Sequence, residues 1–200
     1  ARPPVSGLMA RDRASRPEAK PLRLFVAVEV PEDVRAGLAE AVARVRERFP
    51  KARWVPPRNQ HVTLKFLGST YPRLVEWVTE TVADVALDKP SFVTRVEGLG
   101  AFPNARRARV LWAGLDDAGR RLARLAAGLD EALAREFAPE KRGFTPHLTV
   151  ARFDPPVVVD PLEVRYESEP FEIDRIVLFR SHLRRPAPIY EPLAIYPLHG

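Results

Sequence analysis

The pattern of apolar and polar residues alternates along the chain between short strand-like runs and helical stripes. Apolar runs rich in Val, Leu and Phe predict strands at residues 22–30, 61–68, 91–99, 107–115, 147–153, 171–181 and 188–198. Apolar residues three or four positions apart predict amphipathic helices at residues 31–49, 73–87 and 117–137. Strands and helices are interspersed without strict strand–helix–strand repetition, and hairpin-like strand pairs occur. The pattern therefore favours an α+β fold.

The first 21 residues lack this pattern. They are polar, contain several prolines and show no apolar period, which is typical of a disordered basic tail. No linker divides the remaining chain, so we expect one domain over residues 22–200. A chain of 200 residues buries roughly 70% of the surface that it exposes when unfolded. That is enough for one sizeable core or for two lobes that share one.

Composition narrows the chemistry that this fold can carry. The chain has no cysteine, which excludes disulfides, thiolate nucleophiles and Cys-based zinc sites. The net charge of +6 favours anionic partners, nucleic acid among them, and half of it lies in the first 21 residues. No apolar run approaches the ~20 residues that span a bilayer, and the N-terminus lacks the apolar core of a secretory signal. We expect a cytoplasmic protein without a membrane partner.

Two copies of one short motif, His-x-Thr-apolar, begin two of the predicted strands. They are HVTL at 61–64 and HLTV at 147–150. Because residues two apart on a strand point to the same face, His61 shares a face with Thr63, and His147 shares a face with Thr149. Each motif therefore delivers one imidazole and one hydroxyl to one side of a sheet.

Two such pairs aimed at one point would suit phosphodiester cleavage without a metal. An unperturbed pKa near 6.5 lets histidine take or give a proton near neutrality, and the hydroxyls can hydrogen-bond the non-bridging phosphate oxygens. The motifs alone leave two alternatives open. One is a structural duplication whose histidines serve the fold. The other is a zinc site, although two histidines without cysteine offer few ligands.

Several familiar motifs are missing from the chain. It contains no Gly-rich phosphate loop, no HExxH and no GxSxG. Their absence disfavours ATP hydrolysis by a P-loop, metalloprotease chemistry and esterase chemistry.

Five segments, in order along the chain, resemble the LigT-like RNA 2′,3′-cyclic phosphodiesterases, formerly called 2′-5′ RNA ligases, of the two-histidine phosphoesterase superfamily. They are RLFVAVEVPEDVR (23–35), RWVPPRNQHVTLKFLG (53–68), GAFPNARRARVLWAGL (100–115), RGFTPHLTVAR (142–152) and SHLRRPAPIYEPL (181–193). The similarity extends from about residue 22 to residue 197. It implies a two-lobed, pseudo-symmetric α+β fold in which antiparallel sheets with outer helices surround a central cleft. Each lobe would give one His-x-Thr strand to that cleft.

The resemblance also implies a reaction and roles. A 2′,3′-cyclic phosphate, at an RNA end or on a small nucleotide, would open to a 2′-phosphomonoester without metal or cofactor. His61 would be the acid that protonates the leaving 3′ oxygen, and His147 the base that activates water, while Thr63 and Thr149 bind the phosphate. Two alternatives stay open: joining of RNA halves through a 2′-5′ bond, and a non-catalytic RNA- or nucleotide-binding module. We expect a monomer.

Three more residues are candidates for the cleft. Arg152 matches the family's arginine five residues after the second histidine, and the resemblance implies that it contacts the ligand. Strict alternation places Arg152 opposite His147, so contact requires a bulge or the strand's end; a surface charge is the alternative. Lys65 lies four positions after His61, so strand alternation places both on the same face. There Lys65 would add positive potential to the cleft or be solvated. Phe25 would stack on a base or belong to the core.

Overall fold

The computed structural model describes residues 20–199. Most of the tail predicted at residues 1–21 therefore lies outside the described residues. The strands are β1 (Leu22–Glu29), β2 (Arg53–Trp54), β3 (His61–Thr70), β4 (Phe92–Thr94), β5 (Val96–Phe102), β6 (Ala108–Leu115), β7 (His147–Val157), β8 (Phe171–Ile173), β9 (Arg175–His182) and β10 (Ile189–Pro197). The helices are α1 (Glu32–Ala41), α2 (Ala43–Arg48), α3 (Pro72–Ala86) and α4 (Arg121–Ala132). Within residues 20–199, no helix is both long and apolar enough to cross a membrane.

The main sheet has two halves that meet at its centre. Its strands follow the order β10–β9–β1–β3–β7–β6–β5, with β2 paired to part of β7, while β4 and β8 form a separate two-stranded sheet. Between the halves, β3 pairs with β7 in antiparallel direction through Val62 and Leu148. This narrow junction divides the sheet into two lobes with β3 and β7 side by side. The two-lobed antiparallel α+β fold implied by the resemblance is confirmed.

The helices cover one face of the sheet. α3 buries Val78 and Val82, and α4 buries Leu122 and Leu129, as their apolar stripes predict. These side chains join the central strands in one hydrophobic core. The opposite face of β1 and β9 carries a separate small cluster: Phe25, Ala27, Val177 and Phe179. That second face is the one on which the cleft opens.

Two predicted strands are each divided in the structure. The segment predicted at 91–99 forms β4 and β5, and the segment predicted at 171–181 forms β8 and β9. The reason is a change of partner: β4 and β8 pair with each other, whereas β5 pairs with β6 and β9 pairs with β1 and β10. The apolar pattern of a strand does not indicate which other strand it pairs with.

Two predicted helices are shorter than their apolar stripes. The stripe at 31–49 is interrupted at Val42, whose φ of −91° and ψ of 4° separate α1 from α2. The stripe at 117–137 becomes helical only at Arg121. There the carboxylate of Asp117 accepts hydrogen bonds from the N–H groups of Leu122 and Ala123, so it caps the helix from outside.

Matched β-bulges shape the two central strands. In β3, Leu64 is the first of two extra residues in the register with β1, the second being Leu67. In β7, Val150 is an extra residue in the register with β6, between the partners of Leu111 and Trp112. The first seven residues of β3 and the first seven residues of β7 have the same order of partly exposed, buried and exposed side chains. Because an extra residue reverses the alternation of side chains beyond it, residues after each bulge face the opposite side from that expected.

Lys65 follows the first bulge, and its expected position on the face of His61 is wrong. Its side chain is 1% exposed in the core, where Nζ donates to Asp130 Oδ1 at 2.5 Å and to the Ala138 carbonyl at 2.8 Å. Burial alone would raise the pKa of Asp130. Hydrogen bonds from Lys65 and from the Glu140 N–H outweigh that effect and hold the pKa below its ordinary value. This ion pair fastens β3 to α4.

We expect Asp130→Ala to lower the free energy of unfolding by about 3 kcal/mol. It removes the nearer carboxylate from the buried ammonium of Lys65 and leaves it with the more distant Glu140, at 3.9 Å. Adding Lys65→Met removes that charge, so the double variant should be more stable than Asp130→Ala by more than ~1 kcal/mol. Urea denaturation measures both values. A double variant no more stable than the single one would contradict this account of the pair.

Candidate functional site

A cleft of about 1270 Å³ opens over the junction of β3 and β7; it is called the central cleft below. His61, Thr63, His147, Thr149 and Arg152 all line it. His61 directly precedes Val62, and His147 directly precedes Leu148, the two residues through which β3 and β7 pair. The antiparallel register around that pair sets each histidine near the threonine of the other motif. The structure thus brings both motifs and the candidate arginine to one cavity.

The imidazole of His61 is held by two hydrogen bonds and two ring contacts. Its Nδ1 lies 2.9 Å from the Asn59 carbonyl oxygen. Because a carbonyl only accepts, Nδ1 carries the proton, and Nε2 is unprotonated in the neutral ring. The hydroxyl of Thr63, 3.1 Å away, therefore donates to Nε2. The ring also stacks on Phe25 at a centroid distance of 4.7 Å and meets the edge of Tyr190 at 5.2 Å.

His147 repeats the main-chain contact and the aromatic surroundings of His61 in the other lobe. Its Nδ1 donates to the Thr145 carbonyl at 2.8 Å, which again leaves Nε2 as the unprotonated nitrogen of the neutral ring. Phe102 contacts the imidazole edge-on at 5.2 Å, and Trp112 does so at 6.2 Å. Trp112 lies over Gly100, where a Cβ atom would come within 2.0 Å of the indole. A glycine is needed at that position because the indole occupies the space of a side chain.

The surroundings lower the pKa of both histidines. Burial lowers the pKa of His61 to about 4; the Asn59 carbonyl opposes this shift, and His147 adds to it. Burial likewise lowers the pKa of His147, opposed by the Thr145 carbonyl and reinforced by Arg152. Without an anion between them, both imidazoles are neutral at pH 7. A phosphate in the central cleft would favour a protonated imidazole beside it, because its negative charge attracts the added proton.

Arg152 lies on the face of His147 because of the bulge at Val150. Of the three alternatives considered for Arg152, a bulge, the end of the strand or a surface charge, the structure shows the bulge. Arginines dominate the charged residues that line the central cleft, and Glu47 is the acidic residue among them. The arginines are Arg23, Arg46, Arg53, Arg152 and Arg184. This imbalance makes the central cleft positive and favours anionic ligands.

The described part of the chain has no group of three or more His, Asp or Glu side chains placed to hold a metal ion. The zinc alternative therefore has no candidate ligand set within residues 20–199.

Phe25 lines the central cleft, but its ring is almost fully covered and lies against His61. Its side chain is 3% exposed, and its ring stacks on His61 and, at 5.3 Å, on Phe179. Little of the ring is left for a base, so the structure does not support the expectation that Phe25 stacks on one. The ring instead supports the imidazole of His61.

Phe66 is an exposed aromatic ring in the central cleft. Its side chain is 45% exposed, and the guanidinium of Arg23 lies 4.7 Å from the ring centroid. Phe66 stands five residues after His61, as Arg152 stands five residues after His147, and the bulge turns both to the cleft face. Sequence reasoning missed Phe66. Strict strand alternation places Phe66 on the face opposite His61, just as it places Arg152 opposite His147. A bulge considered for Arg152 could therefore have identified Phe66 as well.

Asn59 and Tyr190 also belong to the surroundings of His61. The side chain of Asn59 is buried, and its Nδ2 donates to the Pro188 carbonyl at 2.8 Å, so Asn59 links residues 183–188 to the imidazole. Burial raises the pKa of Tyr190, while Arg152 and Arg23 act in the opposite direction. Tyr190, Arg23 and Arg152 all line the central cleft.

Comparison with known proteins finds a matching family model and similar relatives. The LigT-like phosphoesterase model matches residues 28–112 and 114–190. An RNA 2′,3′-cyclic phosphodiesterase from Thermus thermophilus is 36% identical over 187 residues, covering 90% of this chain and 91% of the relative. The one from Archaeoglobus fulgidus is 33% identical over 180 residues, covering 88% and 99%.

Solved structures agree with the sequence relatives. The protein TT0787 of Thermus thermophilus superposes with a TM-score of 0.75 at 31% identity, covering 90% of this chain and 99% of that one. E. coli LigT complexed with 3′-AMP superposes with a TM-score of 0.74 at 25% identity, covering 89% and 98%.

The lowered pKa of His61 predicts a loss of stability in acid. The unfolded chain takes up this proton near pH 6.5, but the folded protein does so only at about 4. The unfolded state binds more protons between these values, so stability falls as the pH drops through this window. From about pH 7.5 to 4.5 this one group contributes a loss of about 2 kcal/mol in the free energy of unfolding.

This loss can be measured by urea denaturation across the window. In His61→Gln it should disappear, so the variant's stability should depend less on pH than that of the wild type. His199→Gln removes an exposed histidine and serves as the control, which should keep the wild-type dependence. Equal pH dependence in the wild type and His61→Gln would rule the explanation out.

Proposed function

The chain belongs to the LigT-like phosphoesterases, and from this membership we propose that it hydrolyses 2′,3′-cyclic phosphates of RNA ends and small nucleotides. The product is the 2′-phosphomonoester, and the reaction uses neither metal nor cofactor. One observation carries the proposal. Two imidazoles with unprotonated Nε2 atoms, two hydroxyls and the guanidinium of Arg152 line the same positive cleft.

The proposed step is an in-line displacement at phosphorus. The oxygen of water bonds to phosphorus while the bond from phosphorus to the 3′ oxygen breaks. His147 takes the proton that water loses, and His61 gives a proton to the 3′ oxygen. One proton is taken and one is given, so solvent need only reset the two imidazoles between turnovers.

This assignment requires His61 to be protonated when substrate is bound. With a pKa of about 4, the imidazole holds little charge at pH 7 by itself. The negative charge of the cyclic phosphate, placed beside Nε2 in a low-dielectric site, favours the imidazolium. The substrate would then supply the charge that makes His61 an acid.

The hydroxyl of Thr63 supports the same change. It donates to Nε2 of the neutral imidazole. Once Nε2 carries a proton, that donation is no longer possible, and the hydroxyl is free to donate to a non-bridging phosphate oxygen. Thr149 has the equivalent position in β7, and Arg152 would neutralise charge that develops on the phosphoryl oxygens.

We expect His61→Ala and His147→Ala each to lower kcat for 2′,3′-cyclic AMP by about 100-fold to 10,000-fold, because each removes a proton-transfer group. EDTA should leave the wild-type rate unchanged. Chromatography separates 2′-AMP from 3′-AMP and measures both rate and product. Turnover that vanishes with EDTA, or that survives in either variant, would refute the mechanism. Binding without hydrolysis from about pH 5 to pH 9 would instead favour a nucleotide-binding module.

Phe66 and Arg23 are the proposed contact for the nucleobase, in place of Phe25. Their support is the exposed ring and the guanidinium beside it in the central cleft. We expect Phe66→Ala to raise KM for 2′,3′-cyclic AMP by about tenfold, within the range of base stacking on aromatic side chains. Tyr71→Ala is the matched control, since Arg73 lies 4.9 Å from an exposed Tyr71 ring that is not part of the cleft lining. Equal KM values in the two variants would contradict the assignment.

A further inference from the structure

The central cleft extends well beyond the two histidines. Its volume of about 1270 Å³ exceeds the roughly 300–1,000 Å³ that is common for small-molecule sites. One extension runs to α2 and β2, where Arg46 and Arg53 line it with Glu47. Both arginines are exposed side chains. The cavity therefore has room and positive charge beyond what one cyclic phosphate needs.

Arg53 stands directly across from Arg152 in the pairing of β2 with β7. Like charges opposite each other on neighbouring strands destabilise the pairing. Among residues 20–199, none of Arg46, Arg53 and Arg152 forms an ion pair that would offset this repulsion.

Other arginines in this region do have acidic partners. Arg48, on the same helix as Arg46, is paired with Glu163, and Arg109, on β6, lies 3.9 Å from Asp154. Uncompensated charge is thus concentrated on the cleft side of α2, β2 and β7. An anion bound there would relieve the repulsion and accept charge-assisted hydrogen bonds.

We propose that Arg46 and Arg53 form a second phosphate subsite, which binds a phosphodiester of the RNA chain on the 5′ side of the terminal cyclic phosphate. The inference rests on the proposed function. Arg152, beside His147, serves the cyclic phosphate, and Arg53 on the next strand meets the preceding linkage. An oligoribonucleotide with a 2′,3′-cyclic end is then a better substrate than a cyclic mononucleotide.

The test compares two substrates: an adenylate tetranucleotide that ends in a 2′,3′-cyclic phosphate, and 2′,3′-cyclic AMP. The readout is the ratio of kcat/KM for the tetranucleotide to kcat/KM for the mononucleotide. Arg53→Ala should lower this ratio by about tenfold, whereas Arg53→Lys, which keeps the charge, should retain most of it. The control, Arg106→Ala, removes an exposed arginine that is not part of the cleft lining, and it should keep the wild-type ratio.

Salt dependence gives a second, independent readout. The logarithm of kcat/KM for the tetranucleotide should fall with the logarithm of salt concentration. In Arg53→Ala that slope should be shallower by about 0.7, the value for one contact to a single-stranded phosphate. Arg46→Ala should show the same change, and combining the two substitutions should flatten the slope further.

Two outcomes would overturn the subsite. One is an unchanged ratio in Arg53→Ala, and if kcat/KM then falls equally on both substrates, Arg53 serves the cyclic phosphate instead. The other is an effect of Arg106→Ala on the ratio that equals the effect of Arg53→Ala. A wild type that hydrolyses neither substrate overturns the proposed function instead. The subsite is then judged by equilibrium titration with a tetranucleotide ending in 2′-phosphate against 2′-AMP. There Arg53→Ala should reduce the preference for the tetranucleotide by about tenfold, and an unchanged preference would overturn the subsite.

Discussion

The pairing of Val62 with Leu148 holds the two halves of the sheet together and creates the site between them. Each half contributes a strand that begins with the same motif, and the antiparallel direction turns the two histidines toward each other across the junction. A longer ladder between β3 and β7 would join the lobes into a continuous surface. A narrow junction leaves space above it, and the central cleft occupies that space.

The bulges at Leu64 and Val150 then decide which residues reach the cleft. Before each bulge, histidine and threonine face the central cleft as strand alternation requires. After each bulge the alternation is reversed, so Phe66 and Arg152 face it too, and Lys65 enters the core. The duplicated backbone thus presents an aromatic ring in one lobe and a cation in the other. The pseudo-symmetric frame carries an asymmetric ligand surface.

The electrostatics of the cleft follow from burial combined with arginine charge. Main-chain carbonyls of Asn59 and Thr145 fix the protons on Nδ1, and burial keeps both imidazoles neutral beside several guanidinium groups. Neutral imidazoles limit the repulsion within the cleft. An anionic ligand reverses the balance, because it neutralises the arginines and stabilises a protonated imidazole at the same time. Substrate charge and acid catalysis are therefore linked.

Sequence alone determined the α+β class, most strands, and the shared faces of His61 with Thr63 and of His147 with Thr149, because these depend on local periodicity. The resemblance added the two-lobed arrangement. Tertiary structure decided the positions of Lys65, Phe66 and Arg152, the division of two strands, and the contact of Phe25 with His61. Those features depend on register and on which strands pair. A bulge is a relation between two strands distant in sequence, so the residues of one strand do not encode it by themselves.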